Sequence, residues 1–195
     1  MKRSSRTKSL VFIGLGIALL AVASQIQLPI GPIPFSLQSM VVLIIMFVFA
    51  PNEAIATIAG YLTLGAIGLP MGAGFNGGLG WLVGPTGGFL MGFLLSTAIV
   101  ATIKKSLASK SNQHSDSVAL DSCLGVLAIV TYYLTGVVWL MISTGLPIPT
   151  AVSVAVLPFV IPDVAKLAVA VSCAQMLYKV SDITGLKKAP GSDSV

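Results

Sequence analysis

Apolar residues run along this chain in six long stretches, broken by proline, glycine and short clusters of charge, and no soluble alternation of buried and exposed faces persists through them. Crossing hydrocarbon takes about 20 mostly apolar residues, since every backbone amide must be bonded within its own segment once water is gone. The stretches at 10–23, 37–50, 53–69, 85–103, 118–143 and 162–178 approach that requirement. The third is short, and Pro51 and Asn52 turn the chain into it, with Glu53 where the positive end of a helix dipole favours an acid. Residues 151–157 are too few to span and predict a half-helix or an interfacial turn leading into the last span. The pattern predicts an all-α, polytopic membrane protein built as a six-transmembrane-helix bundle.

Composition agrees. A chain of 195 residues that is 55% hydrophobic and 9% charged has more apolar surface than one small soluble core can bury. One membrane domain over 1–186 is expected, with a polar, disordered tail at 187–195. The net charge of +5 does not indicate nucleic acid, because the basic residues flank apolar runs without an aromatic platform among them. Lys2, Arg3, Arg6 and Lys8 precede the first span, Lys104, Lys105 and Lys110 follow the fourth, and Lys179, Lys187 and Lys188 follow the sixth. Ten of eleven basic residues thus fall on one side, which predicts cytoplasmic N- and C-termini in a cell membrane. The basic start followed by an apolar run also resembles a signal peptide, but the run leads into further spans and its cleavage site near Ala21 to Ser24 is weak, so a retained first helix is expected. Cys123 and Cys173 have no CxxC spacing and are expected as buried free thiols. His114, alone in an inner loop, reads as solvated.

Lys166 is the eleventh basic residue. It stands in Pro162-Asp163-Val164-Ala165-Lys166, at the opening of an otherwise apolar helix, three residues from Asp163 and so on its face. Charges inside a bilayer pair or line a functional cavity; the plainer reading is an acid on the helix dipole beside a snorkelling lysine. A second candidate is the glycine-rich stretch from Pro70 through Gly72, Gly74, Asn76, Gly77, Gly78 and Gly80 to Gly84-Pro85-Thr86-Gly87-Gly88. Its backbone can approach a ligand closely, and Asn76 offers both a donor and an acceptor; the alternative is a simple outer loop. No P-loop lysine and serine or threonine follow, so no ATPase motor is expected. The third is Gly31-Pro32-Ile33-Pro34-Phe35-Ser36-Leu37-Gln38, a lid or a rigid turn, with Gln38 at the start of span two. Trp139, Tyr132 and Tyr133 read either as pocket wall or as helix packing. Gly14 and Ala18 form a small-xxx-small pair that permits close helix approach. No metal-ligand cluster, cofactor motif or nucleophile with a base is present in the sequence, which argues against an enzyme.

Taken together, residues 31–38, Tyr61 to Pro70, Asn76-Gly77-Gly78, Gly84 to Phe89 and Pro158 to Lys166 resemble the signature blocks of the BioY family, the biotin-binding S components of energy-coupling factor transporters. The resemblance runs in family order over nearly the whole chain. It implies a substrate cavity near the outer surface, closed by the loop between spans one and two, with Asn76, Asp163 and Lys166 at positions that contact biotin. Gly77, Gln38, Trp139 and Phe35 are further candidates for the substrate site. It also implies docking through Gly14 and Ala18 on a transmembrane coupling subunit that works with two ATPases. Two departures are visible. The family's Pro-Gly-Asp is Ile161-Pro162-Asp163 here, and its alanine pair in span one is Gly14 and Ala18. The function expected is capture and uptake of biotin; the alternative is a solitary or ion-coupled carrier of biotin or another small vitamin.

Overall fold

The computed structural model describes residues 2–28, 33–110 and 117–183. Pro29, Gly31, Pro32, His114, Lys187, Lys188 and the tail expected at 187–195 lie outside the described residues. Among those described, six helices of eleven residues or more form the bundle: α1 Lys2–Gln25, α2 Gln38–Val48, α3 Pro51–Ala66, α5 Gly87–Lys110, α6 Val118–Thr144 and α8 Leu157–Ile183. Two short helices, α4 Leu79–Val83 and α7 Ile148–Ala155, sit in the connections. Strands β1 Gln27–Leu28 and β2 Phe35–Ser36 pair antiparallel, Gln27 opposite Ser36, and make a small hairpin between α1 and α2.

The pattern on α6 shows how lipid inverts ordinary amphipathicity. Leu124, Ala128, Tyr132, Gly136 and Leu140 recur every four residues and are buried, whereas Val126, Val130, Leu134, Val138 and Ile142 recur at the same spacing and are exposed. An apolar outer stripe of this kind fits a hydrocarbon surround. Helices α1, α5, α6 and the α7–α8 segment are long and apolar enough to cross a membrane. The second predicted span is shorter than expected: α2 has 11 residues, about 16 Å at 1.5 Å per residue, because Phe49 turns extended and Pro51 opens the next helix. The half-helix expected at 151–157 is α7, beginning earlier, at Ile148.

The last span departs more. It begins at Leu157, not Pro162, so Pro162 lies inside the helix and Asp163 stands beyond its first turn. A membrane helix tolerates such a proline where its neighbours supply packing, and the one missing amide removes a single bond, to the carbonyl of Pro158. Asp163 is therefore not a dipole-capping acid. The two cysteines also depart from expectation: both are free, but exposed on the outside of the bundle. On a lipid-facing helix a thiol behaves as a small apolar side chain, so nothing drives it inward.

At one end of the bundle the ends of four helices are tied together. Lys104 of α5 pairs with Asp121 of α6 at 3.3 Å and donates to the carbonyl of Phe47 on α2. Gln175 of α8 donates to Asp121, which is 1% exposed, and the Tyr178 hydroxyl donates to the same Phe47 carbonyl at 2.7 Å. Phe12 of α1 meets Phe49 edge-on, so the basic start of α1 shares this end. At the opposite end the glycine-rich segment is pinned. Ser24 and Tyr61 both donate to the Met71 carbonyl, while the Gln25 amide donates to Gly72 and accepts from the Phe75 N–H.

Helices α5 and α6 meet through glycines. A Cβ on Gly88 would lie 2.6 Å from the Thr135 carbonyl oxygen and 2.2 Å from the Trp139 Cβ, and one on Gly92 would lie 2.7 Å from the Tyr132 Cα. Backbone cannot yield as a flexible side chain can. Replacing Gly88 by alanine gains up to about 1 kcal/mol of helix propensity against about 1–3 kcal/mol of overpacking. Gly88→Ala is expected to lower the thermal midpoint of the detergent-solubilised protein, and an unchanged or raised midpoint would refute the tight seam.

Candidate functional site

Asp163 and Lys166 are one turn apart on α8, and the structure places both inside the bundle, 3% and 7% exposed. The ammonium sits 2.9 Å from Asp163 Oδ1. An isolated charge here would cost several kcal/mol, so the pair exists only because the two compensate each other and their remaining valences are filled. They are filled completely. Ser39, at the start of α2, accepts from Lys166 at 2.9 Å and donates to Oδ1 at 3.3 Å. Tyr132 and Tyr133, neighbours on α6, donate to Oδ2 at 3.0 and 2.7 Å. The carboxylate thus accepts four bonds, about its whole capacity. The third face of the ammonium meets the ring of Phe35, its nitrogen 4.1 Å from the centroid, and Phe35 stacks on Phe159.

This network forms part of the wall of a concave cavity, the kind of place where small molecules bind. Ile33, Pro34 and Ser36 line it from the hairpin side, Gln38 and Ser39 enter from α2, and Ala73 comes from the glycine-rich segment. Trp81 of α4, Thr86, and Phe89, Leu90 and Phe93 of α5 supply the largely apolar opposite wall. Trp81 is held there because Gly65 and Gly72 leave room for its indole and Tyr61 meets it edge-on. The cavity offers a charge-neutral polar patch facing an aromatic and aliphatic one. It suits a small molecule with a compact polar head and an apolar body. No group of three or more His, Cys, Asp or Glu side chains able to hold a metal occurs among the described residues.

The sequence candidates divide. Asp163, Lys166 and Gln38 line the cavity, and Phe35 packs over the ammonium just behind its wall. Gln38 is 6% exposed. Asn76 is exposed on the glycine-rich segment and donates to the Ala73 carbonyl, and Gly77 is exposed beside it, its missing Cβ allowing contact with the Leu69 carbonyl. Neither lines the cavity. Trp139 donates its indole N–H to the Gly84 carbonyl and packs on Gly87 and Gly88, a brace behind the aromatic wall. Gly14 and Ala18 both face outward from α1, with nothing within 4 Å of where a Gly14 Cβ would lie. Tyr132 and Tyr133, open between wall and packing from sequence, are wall. Ser39, Trp81, Leu90 and Phe93 went unnoticed, and Thr86 and Phe89 stood within the quoted motifs without a role of their own; only the position of Ser39 beside Gln38 at a span's start hinted at it.

Comparison with known proteins bears on the fold and the family. A Pyrococcus horikoshii protein named as a probable biotin transporter BioY is 35% identical over 172 residues, covering 88% of this chain and 97% of its own. A Thermotoga maritima biotin transporter BioY is 37% identical, covering 88% and 96%. The crystal structure of the S-component for biotin from an ECF-type ABC transporter superposes with a TM-score of 0.78 at 24% identity, over 92% of this chain and 95% of that one. The fold is accordingly that of an S component, and a sequence model of the BioY family matches residues 1–182. The chain belongs to the BioY family.

Proposed function

We propose that this chain binds biotin in the cavity beside the hairpin and captures it for uptake across the cell membrane. The observation that carries the reading is the buried, self-compensated Asp163–Lys166 pair set in an otherwise apolar cavity. Biotin combines a ureido ring, with two N–H donors and one carbonyl, with an apolar thiophane and valeryl body, and the cavity presents the matching halves. The Ser39 contact to Oδ1 is the longest of the four bonds on the carboxylate. A ligand N–H displaces it at least cost, which makes Asp163 and Lys166 the ureido clamp. Asn76 joins the clamp once its amide leaves the Ala73 carbonyl. Names of the relatives and the family membership support the substrate.

Within this reading both termini are cytoplasmic, and the hairpin and cavity face outward, because the basic residues gather at the Phe47 end while the cavity lies at the other. The chain acts as a binding subunit without covalent chemistry. Separate coupling and ATPase subunits supply the energy, and the open strip of α1 carrying Gly14 and Ala18 receives the coupling subunit.

Calorimetric titration of the detergent-purified protein is expected to give saturable biotin binding, weakened at least about thirtyfold in Asp163→Asn and Lys166→Ala. A folded wild type that takes up no biotin would sink the assignment. The same pair fixes a stability pattern. Each single replacement leaves a buried charge without its partner and is expected to cost about 3–5 kcal/mol, whereas the double variant Asp163→Leu with Lys166→Met recovers most of that loss. Thermal unfolding monitored by fluorescence checks this, and singles as stable as the wild type would show the pair to be solvated.

A further inference from the structure

With the charged pair saturated, one polar group in the cavity is left over. Among the described residues, the Gln38 Nε2 is the one buried side-chain nitrogen or oxygen with no hydrogen-bond partner, and Gln38 lines the cavity while being 6% exposed. A buried donor left unsatisfied is costly, and native proteins retain one where something uses it. Gln38 is also the first residue of α2, whose positive dipole end adds to the attraction for an acceptor.

We infer that the Gln38 amide is the specificity-determining donor of the site, reading a neutral carbonyl oxygen of the ligand. An acceptor is required because Nε2 can only donate. Neutrality follows from charge balance: Asp163 and Lys166 cancel, and the third face of the ammonium is taken by Phe35. A carboxylate placed against Gln38 would be a buried charge without a counterion, whereas a urea carbonyl brings none. The inference rests on the biotin reading above, and there the oxygen is that of the ureido ring and not of the valerate.

Three ligands and two variants test it: biotin, biotin methyl ester, and iminobiotin, whose ring carbonyl is replaced by a basic C=NH group. Gln38→Met keeps the shape and removes the donor. It is expected to bind biotin and the ester about five- to tenfold more weakly, to lose nothing toward iminobiotin, and to unfold about 2–4 °C higher without ligand because the orphan donor is gone. Gln38→Glu turns the donor into an acceptor and is expected to lower the biotin-to-iminobiotin affinity ratio at least about a hundredfold. Equal losses toward biotin and iminobiotin in Gln38→Glu would overturn the inference. So would a methyl ester that is indifferent to Gln38→Met while biotin is not, since the donor would then read the carboxylate. Should the folded wild type bind none of the three, the biotin reading fails by itself, and the donor's role is judged on ligand-free stability: no gain in Gln38→Met refutes it.

Discussion

A carboxylate and an ammonium one helical turn apart, both inside a lipid-embedded bundle, constrain everything around them. The pair is tolerable only while each ion has the other and every remaining lone pair and N–H is met. That requirement reaches across the bundle. It recruits Ser39 from α2, Tyr132 and Tyr133 from α6 and Phe35 from the hairpin, so three separate parts of the chain are brought to α8 by the chemistry of two side chains. Hydrophobicity alone holds no such register, since lipid tails are as apolar as the helix surfaces they would replace.

Packing elsewhere serves the same geometry. The glycine seam between α5 and α6 draws the Tyr132 backbone within reach of α5, which sets both the tyrosine hydroxyls and the Phe89–Phe93 wall relative to one another. Trp139 braces that seam from behind through Gly84. The glycine-rich segment, fixed to α1 by Ser24 and Gln25, holds Ala73 at the cavity and gives the Trp81 ring space against Gly72. Small residues here are spacers that decide where large ones stand.

How much of this the sequence disclosed follows from the range of each interaction. Asp163 and Lys166 were visible because charge in an apolar run is conspicuous and a spacing of three fixes a shared face. The bundle was visible because hydropathy and the placement of lysines are local properties. The partners of the pair were not: Ser39 lies 124 residues from Asp163 and Tyr133 lies 30 away, and an ordinary serine or tyrosine carries no mark of the acid it will meet. Prolines misled in the same way. Pro162 reads as a helix start by local rule, yet packing carries α8 five residues further back, so a capping site became an interior one. The apolar run at 37–50 approached a full span, but its helix stops at Val48, where Phe49 turns extended. Tyr132 and Tyr133 could not be assigned to wall or packing without knowing which helix they face.

The tie at the Phe47 end has a bearing on topology. Lys104, Asp121, Gln175 and Tyr178 bind α2, α5, α6 and α8 together at the end away from the cavity, with the acid almost wholly enclosed. What enters beneath the hairpin therefore comes to rest on a stitched floor, and the molecule has the form of a cup and not of a pipe. Emptying a cup through its floor would mean undoing the stitches, and that would part an enclosed acid from its lysine.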